Sequence, residues 1–187
     1  MNGPDLTPLG QRDRLGLKGP QAADWLGTQG VAVPAAPNTW THSREGAAAE
    51  ALLVARLGHA EFFLEDHAAG TTLKRLAPLL NQRPQGVYPV LREDFGLLLG
   101  GVGVHDVLAQ VCNVNFAALP MDSHPLIMTL MIGVAVLVVP QSGAARQRDA
   151  GYGEYRIWCD PTFGPYLGES LGAVVTECGG RYTGVSG

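Results

Sequence analysis

The chain has 187 residues, 46% of them hydrophobic and 16% charged, with a net charge of −4. A chain of this length buries a core without disulfides, as one domain or two small lobes, and its acidic balance with no basic stripe excludes nucleic acid as a partner. The sparse charge fits either a surface covered by another protein or an abundance of glycine-rich loops.

The opening residues Met1-Asn2-Gly3-Pro4-Asp5 have no basic flank and no apolar run, so no signal peptide is expected. Leu15-Gly16-Leu17-Lys18 alternates like a short strand. Gly19-Pro20 breaks it, with Pro20 suited to the first turn of a helix that carries Ala22, Trp25 and Leu26 and closes at Gly30. Residues 31–50, with Pro34, Pro37, Asn38, Ser43 and Gly46, read as a long surface loop. Leu52 to Leu57 and Glu61 to Asp66 read as antiparallel strands around Gly58-His59-Ala60. A helix is predicted from Ala69 to Leu80, with Leu73, Leu76, Leu79 and Leu80 on one face.

The pattern then restarts. Leu97-Leu98-Leu99-Gly100 is a strand, and Val104, Val107, Leu108 and Val111 mark a helix after Gly101. Leu126 to Val139 is interrupted by Thr129 and Gly133 and is too short to span a bilayer, so it predicts buried β-structure and no membrane association. Residues 141–153, with Ser142, Gly143, Arg146 and Arg148, read as an exposed insertion. Tyr155 to Asp160 alternates as a strand, and Pro161 opens a closing helix through Phe163, Leu167, Leu171 and Val174. Leu17-x-Gly19 matches Leu99-x-Gly101, Asp66 falls opposite Asp160, and Leu73 opposite Leu167. The expectation is a single α+β domain over 1–187, made of duplicated β-α-β-β-α, ferredoxin-like units at about 12–82 and 95–178, with antiparallel sheets and helices outside.

Chemistry-bearing patterns are few. Cys112, Cys159 and Cys178 are far apart and form no Cys-x-x-Cys pair, which predicts a reduced, cytoplasmic compartment and no metal site. His42, His59, His67, His105 and His124 share no ligand spacing; His59-x-Glu61 and His105-Asp106 are close His–acid pairs of a kind common by chance. There is no Gly-x-Ser-x-Gly elbow. Gly100-Gly101-Val102-Gly103 lacks the rest of a dinucleotide or phosphate loop, so close helix–strand packing explains its glycines. Cys159 precedes a helix, but Asp160 as N-cap and Pro161 at the first helical position account for the triplet. Arg56 and Glu61 bracket the tight hairpin. They either flank an exposed turn, with a pairing worth under about 1 kcal/mol, or offer a carboxylate to the N–H groups of a planar heterocycle.

Several segments in order resemble the gamma subunit of heterotetrameric sarcosine oxidase, a family related to the folate-binding aminomethyltransferase (glycine-cleavage T-protein) fold. They are Leu15-Gly16-Leu17-Lys18-Gly19-Pro20, Ala23-Asp24-Trp25-Leu26, Arg56-Leu57-Gly58-His59-Ala60-Glu61-Phe62-Phe63-Leu64 and Tyr155-Arg156-Ile157-Trp158-Cys159-Asp160-Pro161-Thr162-Phe163. The resemblance runs over roughly residues 5 to 175. It implies an accessory, non-catalytic subunit of a complex that oxidatively demethylates sarcosine or a related methylated amine. Larger partner subunits would carry FAD, FMN, NAD and tetrahydrofolate, and this chain would bind none of them alone. In the aminomethyltransferases an Arg-x-Gly-x-x-Gly-Glu hairpin sets its glutamate against the folate pteridine. Arg56, Gly58 and Glu61 match that motif in a turn one residue shorter and without the second glycine, which implies a vestigial cofactor-binding hairpin. The rival expectations are an independent tetrahydrofolate-binding protein, centred on Glu61, or an aminomethyltransferase-like enzyme using Asp122 or Asp160.

Overall fold

The computed structural model describes residues 3–44, 51–141 and 151–184. In chain order its elements are β1 (Pro4–Pro8), β2 (Arg14–Lys18), α1 (Ala22–Thr28), β3 (Thr39–Ser43), β4 (Leu52–Arg56), β5 (Glu61–Glu65), α2 (Thr72–Asn81), β6 (Tyr88–Val90), β7 (Phe95–Val102), α3 (Val104–Val111), β8 (Ile127–Met131), β9 (Val134–Pro140), β10 (Tyr152–Cys159), α4 (Gly164–Glu177) and β11 (Arg181–Tyr182). They make a mixed α+β fold with two antiparallel-rich sheets. Residues 11–93 form one compact unit, and the described residues on either side of them form the other.

In the unit of residues 11–93 the strand order is β3-β4-β5-β2-β6, with every neighbour antiparallel. Leu17, Val54, Phe62 and Leu64 point to the face covered by Ala22 and Leu26 of α1 and by Leu73, Leu76 and Leu80 of α2. Leu53, Ala55 and Phe63 alternate to the other face and are equally buried, which is why β4 and β5 read as unbroken apolar runs. Helix α2 begins at Thr72 rather than Ala69 because its cap comes from outside: Asp66 Oδ2, just past β5, accepts the Leu73 N–H at 3.0 Å. Helix α1 begins at Ala22, so Pro20 lies ahead of the helix instead of in its first turn. It ends in a Schellman motif, with Val31 N–H donating to Leu26 O and Gly30 N–H to Gly27 O, both at 3.0 Å.

The predicted loop 31–50 holds an edge strand, β3. Trp40 and Ser43 are buried there, and Ser43 Oγ accepts the Ala32 N–H at 2.9 Å. The strand signal of Thr39-Trp40-Thr41 was masked by the preceding Pro34, Pro37 and Asn38. Residues 45–50 of that loop lie outside the described residues, as do residues 142–150 of the predicted insertion.

The other unit has strand order β11-β1-β7-β10-β9-β8, antiparallel throughout except for the β1–β11 pair. Leu97, Leu99, Val136, Val138 and Ile157 pack with Val104, Val107 and Leu108 of α3 and with Leu167, Leu171 and Val175 of α4. The Leu126–Val139 stretch is a hairpin. Met131 faces Val134 across Ile132-Gly133, whose φ values of 49° and 79° make a type I′ turn. Asp160 caps the 3₁₀ turn Pro161–Phe163 by accepting the Thr162 N–H at 2.9 Å, as its place before proline predicted. The alternation expected along Tyr155–Asp160 fails at Trp158, which is buried although it points away from its buried neighbours Ile157 and Cys159. Gly101 has φ +113°, and a Cβ there would fall 2.7 Å from Gly3 O. Close approach of a neighbouring backbone, not helix–strand packing, requires that glycine.

Read from β8, the order β8-β9-β10-β7-β1-β11 follows β3-β4-β5-β2-β6 with β1 inserted. Each unit carries more strands than β-α-β-β-α, including one between its first helix and its long hairpin: β3 and β8.

Candidate functional site

The β4–β5 hairpin closes with Leu57 N–H donating to Glu61 O at 2.9 Å. Arg56, at the end of β4, turns its guanidinium back over the turn. Its Nη2 donates to His59 O at 2.7 Å and its Nε to Gly58 O at 3.3 Å. Its Nη1 donates to Pro34 O at 3.0 Å and Ala35 O at 2.8 Å. The group lies 5.5 Å from the Phe62 ring centroid. Four of the five N–H donors of the fork are thereby committed to backbone carbonyls, so Arg56 staples the turn to residues 34–35. Gly58 has open space where a Cβ would stand, so its geometry does not demand glycine.

Glu61 opens β5 with its side chain 43% exposed, and Oε1 accepts from Arg92 Nη2 at 3.1 Å. Arg92 in turn stacks 5.6 Å from the Phe63 ring centroid. Lys18 is the residue opposite Glu61 on β2. The sheet thus sets Arg92 against Glu61, while the hairpin turns Arg56 elsewhere. Arg92 was missed in the sequence because nothing local marks it; its separation from Glu61 is closed only by the β2–β6 and β2–β5 pairings. What the arrangement can do chemically is accept hydrogen bonds at an anchored carboxylate.

A second polar constellation lies in the other unit. His105, on the first turn of α3, has Nε2 2.7 Å from the Tyr155 hydroxyl of β10. Burial pushes the Tyr155 phenol up to about 12, so it stays a neutral hydrogen-bonding group. Phe116 packs edge-on to Tyr155 at 5.4 Å. The pair lines a cavity of about 90 Å³ with Phe116, Met121 and Gln141, and His105 also borders a cleft of about 280 Å³ beside Cys112 and Asn113. Sequence proximity pairs His105 with Asp106; the fold pairs it with a tyrosine 50 positions away.

The remaining histidines do not converge on a metal site. His42 stacks edge-on to Trp40 at 5.1 Å, His67 Nδ1 accepts the Ala69 N–H at 3.3 Å, and His124 ends a 3₁₀ turn. Among the described residues no His, Cys, Asp or Glu group could hold a metal ion. Burial pushes the Cys159 thiol up to about 11, helped by the charges of Asp160 and Asp94, which opposes a reactive thiolate. Asp160 is held low by its Thr162 hydrogen bonds, as a cap should be. Asp122 sits exposed in the 3₁₀ turn Met121–Ser123. No helix among the described residues is long and apolar enough to cross a membrane.

No family model and no curated protein sequence matches the chain. Solved structures do. A chain of the heterotetrameric sarcosine oxidase from Corynebacterium sp. U-96, in complex with pyrrole 2-carboxylate, superposes with a TM-score of 0.69 at 21% identity, covering 96% of this chain and 87% of that one. The glycine cleavage system aminomethyltransferase T from Bartonella henselae superposes with a TM-score of 0.59 at 17% identity, covering 90% of this chain; the chain spans 45% of that protein's length. The fold is therefore aminomethyltransferase-like.

Proposed function

We propose that this chain is an accessory, non-catalytic subunit of a heteromeric, folate-linked flavoprotein complex that oxidatively demethylates sarcosine or a related methylated amine, of the gamma-subunit type. The carrying observation is the superposition on a chain of a heterotetrameric sarcosine oxidase over nearly the whole length of both. The hairpin chemistry supports it: Arg56 is consumed by backbone carbonyls and Glu61 is engaged by Arg92, as fits a folate hairpin kept as architecture. On this reading FAD, FMN, NAD and tetrahydrofolate belong to larger cytoplasmic partner subunits. The matching strand orders of the two units support their origin as copies of one ferredoxin-like unit within a single gamma-subunit-like domain.

A second reading, favoured by the likeness to an aminomethyltransferase and by the exposure of Glu61, is an independent tetrahydrofolate-binding one-carbon protein. Titration calorimetry of the purified chain with tetrahydrofolate separates the two. The accessory reading predicts no binding heat. Micromolar binding that disappears in Glu61→Gln supports the second reading and contradicts the first.

A further inference from the structure

The cavity of about 90 Å³ beside Tyr155 has mixed walls. Phe116, Ala117 and Met121 supply apolar surface, and His105, Tyr155 and Gln141 supply polar groups. Alternation along β10 sets Gly153 and Tyr155 on the cavity face. A Cβ on Gly153 would lie 2.8 Å from Tyr155 Cε2, so the glycine lets the phenol ring lie over the strand. The side chains of Tyr152 and Glu154 alternate to the sheet's other face. There a Cβ on Gly100, the partner of Glu154 on β7, would meet Glu154 Cγ at 3.3 Å. Among the described residues the cavity is lined by no lysine, arginine or aspartate. Gln141 directly follows β9, and its backbone N–H donates to Glu154 O at 2.8 Å. Its side-chain Nε2 is buried and has no hydrogen-bond partner among the described residues. Buried amide donors are nearly always met, and the terminal torsion of glutamine is soft enough to turn this one toward an acceptor in the cavity. A water cluster fits poorly, because each buried water needs about two to four polar partners and half of these walls are apolar. A cavity of about 150 Å³ takes benzene, so this one takes about four non-hydrogen atoms.

The geometry points to a binding site for a small uncharged carbonyl compound, of the size of a primary amide such as acetamide, whose carbonyl oxygen accepts from Gln141 Nε2 and from the Tyr155 hydroxyl. His105 Nε2 lies 2.7 Å from that hydroxyl and takes either hydrogen-bonding role according to its tautomer. With the proton on Nε2 it donates to the tyrosine oxygen and leaves the O–H free to donate to the ligand. Phe116, Ala117 and Met121 enclose the alkyl end. An ion of the same size is disfavoured, since it would shed its hydration against walls that offer no fixed countercharge. The inference does not rest on the proposed function.

Acetamide, acetate and acetamidinium have nearly the same shape and are neutral, anionic and cationic. Each is titrated into the full chain, labelled at the methionine methyls and side-chain amides, at about pH 8, above the ordinary histidine range. A ligand of about four atoms binds no tighter than tens of micromolar, so the titration runs into the millimolar range. Acetamide is expected to shift the Met121 methyl and the Gln141 amide protons saturably. The other two probes are expected to leave both in place, and Met128, 55% exposed, serves as the reference for non-specific contact. Gln141→Met keeps the length of the side chain and removes the donor, and Tyr155→Phe removes the hydroxyl; each is expected to weaken acetamide by about tenfold. No saturable shift with acetamide, binding of acetate or acetamidinium as tight as that of acetamide, or an unchanged acetamide affinity in folded Gln141→Met would each overturn the site.

Discussion

Arg14 and Glu65 face each other across β2 and β5, with Nε 2.7 Å from Oε2 and both side chains buried. Such a pair contributes little relative to a matched apolar pair, but losing one partner strands a charge away from water. Glu65→Leu is therefore expected to cost about 3–5 kcal/mol, read as a lower urea midpoint, and Arg14→Met in the same chain to recover most of the loss. A second residue-scale consequence is alkaline. Folding raises Cys159 from 9.0 to about 11 and Tyr155 from 10.0 to about 12. The unfolded chain thus gives up these protons first, so stability is intact below pH 9 and declines as pH rises toward 11 and 12. Urea midpoints measured from pH 8 to 12 should fall across that window. Tyr155→Phe should flatten the part above pH 10 while leaving the part that begins near 9. An identical slope in the variant would mean that Tyr155 does not carry it.

At the scale of elements, α4 carries Gly164, Gly168 and Gly172 on its buried face, where larger side chains would collide with Phe95 and Tyr182. A Cβ on Gly172 would lie 2.4 Å from Tyr182 Cδ1. Gly172→Ala is expected to lower the thermal midpoint despite the better helix propensity of alanine, by about 1–3 kcal/mol of overpacking. Tyr182→Ala in the same chain should relieve most of that added cost; an unrelieved loss would place it elsewhere. The helices themselves were legible because Leu73, Leu76 and Leu80, or Val104, Val107, Leu108 and Val111, repeat at the helical period. The short strands were not. β1, β6 and β11 are five, three and two residues long and owe their pairing to neighbours distant in sequence, such as Leu6 against Leu99. β3 hid behind prolines, and the Ile132-Gly133 turn hid inside an apolar run because Ile132 adopts φ 49°, a conformation that β-branched residues avoid.

For the whole molecule, sequence patterning conveyed the strand and helix that follow residue 95 and the hairpin that carries Arg56 and Glu61, since both are local patterns. It did not convey the partners that decide what the hairpin does. Arg92 reaches Glu61 through sheet pairing, and Pro34 and Ala35 reach Arg56 through the return of a loop. Those contacts make the hairpin a structural staple whose carboxylate is engaged by Arg92, and the accessory role proposed above draws on them. The direct test is purification of the tagged chain from its source under native conditions, followed by flavin absorbance and sarcosine demethylation assays. The accessory account predicts that larger polypeptides bearing flavin accompany the chain in fixed stoichiometry and demethylate sarcosine or a related methylated amine. A chain recovered alone, free of flavin protein and active on an aminomethyl donor by itself, would contradict it.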